Sequence, residues 1–106
     1  MQIIRLDQIQ NLLGDNPKDP FLLFALAKEY EKLGQFEQSI RQYNYLKEIN
    51  PNYVGLYYNL GKSYECEDLN DEAKNTYHLG IQIAEKLNDL HSKKELEQAL
   101  NNLLLT

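Results

Sequence analysis

An all-α fold, about six helices stacked as antiparallel hairpins, is what this sequence predicts. Three observations carry the prediction. Breaks are sparse and regular: Gly14 with Pro17 and Pro20, then Gly34, Asn50-Pro51, the polar stretch Asp68 to Asp71, and Asn88-Asp89. Between them lie segments of roughly 12 to 17 residues with apolar side chains at three- and four-residue steps, a helical length and a helical period. The third observation is an internal period of 34 residues. Sliding 16–50 over 50–84 superposes Asn16 on Asn50, Pro17 on Pro51, Leu22 on Leu56, Leu26 on Leu60, Lys28 on Lys62, Tyr30 on Tyr64, Glu31 on Glu65, Tyr43 on Tyr77 and Ile49 on Ile83. Nine identities in 35 pairs stand against the roughly two or three that average residue usage gives.

Helices are expected at about 2–13, 20–33, 36–49, 53–67, 70–87 and 90–105. The first carries Ile9 and Leu12 in phase with Tyr43 and Leu46, the pattern of a hairpin's second helix whose first helix is missing. In the second, Leu22, Leu23, Leu26, Ala27 and Tyr30 form the apolar stripe, and Lys28, Glu29, Glu31 and Lys32 take the remaining arc. Asp19 is its N-cap, Pro20 sits in its first turn and Gly34 stops it. The same periodicity sets 36–49 and 53–67, and Asn70 or Asp71 is the expected N-cap of the fifth helix. The sixth places Leu96, Ala99, Leu100 and Leu103 on one face and Lys93, Lys94, Glu97 and Asn101 on the other, suited to covering the unit before it.

These residues resemble the tetratricopeptide repeat (TPR) family, whose unit of about 34 residues is a helix-turn-helix with the pattern W-x2-L-G-x2-Y, A-x3-F, P. Leu23, Leu26, Ala27, Tyr30, Ser39, Tyr43 and Pro51 stand at those positions in the first unit. Tyr57, Leu60, Gly61, Tyr64, Ala73, Tyr77 and, where proline is expected, Glu85 stand there in the second. Ala27, Ser39, Gly61 and Ala73 are small enough to let paired helices approach, with Tyr30, Tyr43, Tyr64 and Tyr77 filling the gaps beside them. Lacking the proline, the fifth helix is expected to run an extra turn through Leu87. The resemblance implies TPR-like hairpins stacked in a right-handed superhelix within one domain: an N-terminal cap helix over 1–15, repeats over 16–50 and 51–87, and a C-terminal capping helix over 88–106. Two repeats fall short of the roughly three needed for stability, so the flanking helices are expected to be structural necessities.

Composition narrows the function. With 106 residues, 42% apolar and 25% charged, the chain reads as a single globular domain. A net charge of -5, with the eleven Lys and Arg scattered from Arg5 to Lys94, argues against nucleic acid or an anionic membrane as partner. The longest apolar run, Phe21 to Ala27, is far short of the ~20 residues of a membrane span. The N-terminal Met-Gln-Ile-Ile-Arg-Leu-Asp lacks a basic leader before a long apolar stretch, and the lone Cys66 cannot form an internal disulfide, so a cytoplasmic location is expected.

No enzymatic constellation emerges. The five glycines are isolated from one another, so no phosphate-cradling loop is present. Cys66 has no identifiable activating partner in His78 or His91 and reads as a partly buried helix residue. His91 and Glu95, four apart, are too few ligands for a structural zinc site. The acidic run Glu65, Glu67, Asp68, Asp71 and Glu72 lacks the alternating oxygen ligands and central glycine of a calcium loop. Neither a metal nor a cofactor is expected.

The resemblance implies instead a concave groove lined by the first helices of successive repeats. By that register Phe24, Lys28 and Glu31 stack beside Tyr58, Lys62 and Glu65, with Phe21 and Asn59 nearby. An aromatic row beside a lysine row suits an extended peptide carrying an apolar side chain and a carboxylate. The alternative packs Phe21, Phe24 and Tyr58 under the terminal helices and leaves Lys28 and Lys62 solvated. The expected function is a protein-protein interaction module with a peptide or protein partner. The alternative is a self-associating module using Leu103-Leu104-Leu105 and incompletely covered repeat ends. Family members that grip chaperone carboxyl termini use a clamp of lysine, asparagine and arginine on three repeats. Here Asn59 alone matches, Phe24 and Lys28 stand where the first lysine and asparagine belong, and the third repeat is absent. A peptide ending in Glu-Glu-Val-Asp is therefore expected to show no saturable binding by calorimetry; low-micromolar affinity would overturn that expectation.

Overall fold

A computed structural model describes residues 2–106, and among them the chain forms six helices and no strand: α1 (Gln2–Asp15), α2 (Pro20–Lys32), α3 (Phe36–Ile49), α4 (Gly55–Cys66), α5 (Asn70–Lys86) and α6 (Leu90–Leu104). The boundaries lie within two residues of those read from periodicity. Helices α2 and α3 make one hairpin and α4 and α5 a second. α1 lies against α2, α4 against α3, and α6 against both α5 and α4.

Helix ends follow local chemistry. The Asp19 carboxylate accepts from the backbone N–H of Phe21 at 2.9 Å and Leu22 at 3.3 Å, so the N-cap reading holds. Gly34 takes a φ of +74°, the left-handed conformation that closes the helix. One period later Asp68 takes the same conformation at +59°, and Asn88 repeats it at +57° after α5; Asp and Asn tolerate this region better than other L-residues. The expected N-cap of α5 is corrected: Asn70 and Asp71 already lie inside the helix, which Leu69 precedes without any side-chain cap. α5 does run longer than its counterpart, 17 residues against 14 in α3.

Two interlocking tyrosines hold the second hairpin together. The Tyr77 ring lies flat against Gly61, where an added Cβ would meet its Cε1 at 2.2 Å, and Gly80 of α5 admits Tyr57, where a Cβ would meet the Tyr57 Cβ at 2.6 Å. Both tyrosines are fully buried, as are Tyr43, Leu46, Leu56 and Leu60. Tyr30 and Tyr64 are only half-buried, their hydroxyls accepting from Gln10 at 3.4 Å and Asn44 at 3.1 Å.

That last pair of bonds repeats at the 34-residue period, and so does another. Ser39 Oγ donates to Ser63 Oγ at 3.1 Å across α3 and α4; the equivalent positions on α1 and α2 are Arg5 and Glu29, bonded Nε to Oε1 at 2.8 Å. α1 thus contacts α2 as α3 contacts α4, in the register expected of a hairpin's second helix. Two details of the reading are corrected. Leu12 is 54% exposed, because no helix among the described residues covers its outer side, and Leu13 packs on the core in its place. Glu29, assigned to the solvated arc, is 2% exposed, because α1 covers it. Its Oε1 binds Arg5 and, at 3.3 Å, Lys32, whereas its Oε2 has no hydrogen-bond partner among the described residues.

A buried carboxylate is tolerated only while its cations remain. Arg5→Ser is expected to destabilise the fold by about 1–3 kcal/mol, while the double variant Arg5→Ser, Glu29→Ser, which recreates the Ser39–Ser63 pair, recovers most of that loss. Urea titrations of the four proteins of this cycle test the coupling, and additive losses would show that the pair has none.

Candidate functional site

The eight residues singled out from the sequence lie on α2 and α4, and these two helices touch. Phe21, in the first turn of α2, is 70% exposed. One turn on, Phe24 is half-buried, its ring 5.9 Å from that of Tyr43 and 5.3 Å from that of Tyr53, beside Gly55. The expected alternative in which Phe21 packs under a terminal helix is therefore not what the fold does, and Phe24 packs on the α3–α4 junction.

The two lysines are engaged rather than simply solvated. Lys28 Nζ donates to Asn59 Oδ1 at 3.1 Å, and the Asn59 amide in turn donates to the Gly55 carbonyl at 3.0 Å. Lys62 Nζ lies 5.9 Å from the centre of the Tyr58 ring and 4.0 Å from Glu65 Oε2. The two glutamates serve the core: the Tyr43 hydroxyl donates to Glu31 and the Tyr77 hydroxyl to Glu65, the same bond one period apart. Burial raises the Glu31 carboxyl above its ordinary value against the opposing pull of the Tyr43 hydroxyl and the Lys28 charge. The tyrosines rise too, by burial first and then by the carboxylate each one faces.

α6 stands beside Tyr58, as the alternative reading placed a terminal helix there, and brings residues that the groove reading did not name. Tyr58 and Lys62 of α4 and Glu95, Gln98, Ala99 and Asn102 of α6 line an open cleft of about 280 Å³. α6 packs on α4 and α5 without reaching α2, so it lines the face of α2 and α4 rather than filling it. Lys93, read as solvent-facing, is half-buried and pairs with Glu85 of α5 at 3.0 Å. Cys66 is exposed rather than partly buried. Desolvation at its sulfur and the nearby Glu31 and Glu65 charges push its thiol up, the opposite of what an activated nucleophile needs. No three metal-capable side chains cluster among the described residues, and no helix among them is long and apolar enough to cross a membrane.

A solved Salinibacter ruber protein described as a tetratricopeptide repeat domain protein shares this architecture at a TM-score of 0.78 and 38% identity, over 82% of this chain and 88% of that one. The chain belongs to the tetratricopeptide repeat family. The TPR repeat family matches residues 27–65 directly. The TPR repeat-containing protein YpiA of Bacillus subtilis (strain 168) is 36% identical over 76 residues, which is 72% of this chain but 18% of that protein; this chain spans less than a fifth of its relative. A protein of Bordetella parapertussis, solved in solution, shares the fold at a TM-score of 0.84 over 93% of this chain and 86% of that one, with 22% identity. TPR folds generally mediate protein-protein interaction.

The buried tyrosines make stability pH-dependent in a defined direction. Each keeps its proton in the folded state above the ordinary value of 10.0, so above pH 10 the unfolded chain holds fewer protons and stability falls as pH rises. The slope is expected to reach ~1.4 kcal/mol per pH unit for each tyrosine. Tyr43→Phe is expected to lower stability at pH 7 but flatten this alkaline slope, measured by urea unfolding between pH 9 and about 11; an unchanged slope would contradict the assignment.

Proposed function

We propose that this TPR chain is a non-enzymatic interaction module, a single domain of two repeats (16–50 and 51–87) between capping helices, that holds a peptide or protein segment in a concave groove. The groove is lined by Phe21, Phe24, Lys28, Glu31, Tyr58, Asn59, Lys62 and Glu65. The observation that carries the reading is that α6 lies beside α4 and leaves α2 uncovered, so aromatic rings and charged side chains of adjacent first helices remain reachable. Tyr58 and Phe24 offer partly buried aromatic faces to an apolar side chain, and the exposed Phe21 extends them toward one end.

Self-association is the second reading, favoured by the exposure of Leu87, Leu90, Leu104 and Leu105 at 43, 68, 58 and 86%. These four divide between the two ends of α6, roughly 20 Å apart at 1.5 Å per residue, and so make two small patches rather than one contact surface.

Affinity capture with the wild type and with Lys28→Glu, Lys62→Glu side by side tests the groove. The double variant is expected to change the recovery of a partner that the wild type retains, weakening an acidic one and strengthening a basic one, while its melting temperature stays within about 4 °C. Equal recovery by both proteins, or a collapse in melting temperature, would remove the groove assignment.

A further inference from the structure

The groove reading leaves open the chemistry of its occupant, and the charges decide it differently from the lysine row seen in the sequence. Both ammonium groups on this face already have partners: Lys28 donates to Asn59 and acts on Glu31, and Lys62 sits over Tyr58 and against Glu65. The carboxylates are in surplus. Glu31 and Glu65 each accept a tyrosine hydroxyl on one oxygen, and the other oxygen receives no donor among the described residues. Glu95, across the α4–α6 cleft, has neither hydrogen bond nor ion pair among those residues. Three carboxylates on three neighbouring helices thus face two committed lysines, on a chain whose net charge is -5.

Resting on the groove reading, we propose that the occupant is an extended basic segment, with arginine side chains alternating with apolar or aromatic ones, and not the carboxylate-bearing peptide that the lysines alone suggest. A guanidinium meets a half-buried carboxylate in a two-point hydrogen-bonded geometry and stacks on aromatic faces such as that of Tyr58. Neighbouring helices lie about 8–10 Å apart, and an extended chain rises ~3.3 Å per residue. Cations directed at Glu31 and Glu65 therefore fall about three residues apart, with an apolar side chain between them meeting Phe24 or Tyr58. The surrounding negative field steers such a segment inward and repels an acidic one.

The test uses the full chain and two fluorescent peptide pools with Leu, Phe and Tyr at the same positions, one carrying Arg and the other Glu at every third position, read by anisotropy at low and high salt. The Arg pool is expected to bind saturably and to weaken as salt rises. Glu31→Gln, Glu65→Gln, Glu95→Gln, which keeps an acceptor for both tyrosine hydroxyls, is expected to weaken it by about tenfold or more. Preference for the Glu pool, lost in Lys28→Glu, Lys62→Glu, would overturn the basic partner while keeping the groove. Binding of the Arg pool that ignores the triple Gln variant would remove these carboxylates from the site. Binding of neither pool would overturn the groove reading together with this one.

Discussion

Each hairpin of this fold closes on one tyrosine that has no surface left in solvent. Tyr43 and Tyr77 are wedged between paired helices, and the room for Tyr77 exists only because position 61 has no side chain. A buried hydroxyl without a partner costs as much as a lost hydrogen bond, so the tyrosine imposes a second demand, an acceptor at the right height on the facing helix. Glu31 and Glu65 meet it. Because those acceptors project from the first helix of each hairpin, the packing solution also decides what the proposed groove face presents. A carboxylate recruited to satisfy the core becomes one of its charges.

The junction between α1 and α2 shows the same logic under a different substitution. Where α3 meets α4 a serine pair bridges the helices at low cost; where α1 meets α2 the equivalent positions hold a buried glutamate and an arginine. The ionic version specifies its partner more narrowly than the hydroxyl version does, since a helix without a cation at Arg5 would leave the buried Glu29 with only Lys32 of its own helix. It is also the costlier arrangement, with one glutamate oxygen left without a donor among the described residues. α1 is therefore held in register by chemistry as well as by Ile9 and Leu13, its apolar contacts.

Much of this was legible in the sequence, because a repeat writes the same constraint twice. The period, the six helices, the Asp19 cap and the Gly34 stop were all readable from spacing, since local backbone demands dominate there. What escaped was whatever depends on a neighbour beyond the repeating unit. Glu29 looks solvent-facing on a helical wheel, and only the presence of α1 buries it. Leu12 looks like a core residue by its match to Leu46, yet it is exposed because none of the described helices packs on it. Gly80 has Leu46 as its counterpart in the first repeat, so the period hid its purpose; the second tyrosine, Tyr57, takes the space that a leucine fills one unit earlier. The lysines read as free because their partners, Asn59 and Glu65, are themselves polar and carry no sequence mark of being engaged.

The same reasoning explains why the face that α6 turns toward the proposed groove could not be read by period. A strict continuation of the buried Tyr57, Leu60 and Gly61 falls on His91, Lys94 and Glu95, all of which are exposed. The buried stripe of α6 is Leu96, Ala99 and Leu100 instead. The longer α5 and the short connection at 87–89, fixed by the left-handed Asn88 and by Asp89 accepting from the Ser92 N–H at 3.0 Å, deliver α6 with a different face turned inward. Glu95, which the period would place against the core where only a small residue fits, is thereby released to the groove side, where it joins Gln98 and Asn102 opposite Tyr58 and Lys62. The capping helix thus ends the repetition and breaks its symmetry at once: two walls of the proposed groove are copies of each other, and the third would add a carboxylate and two amides that neither copy has.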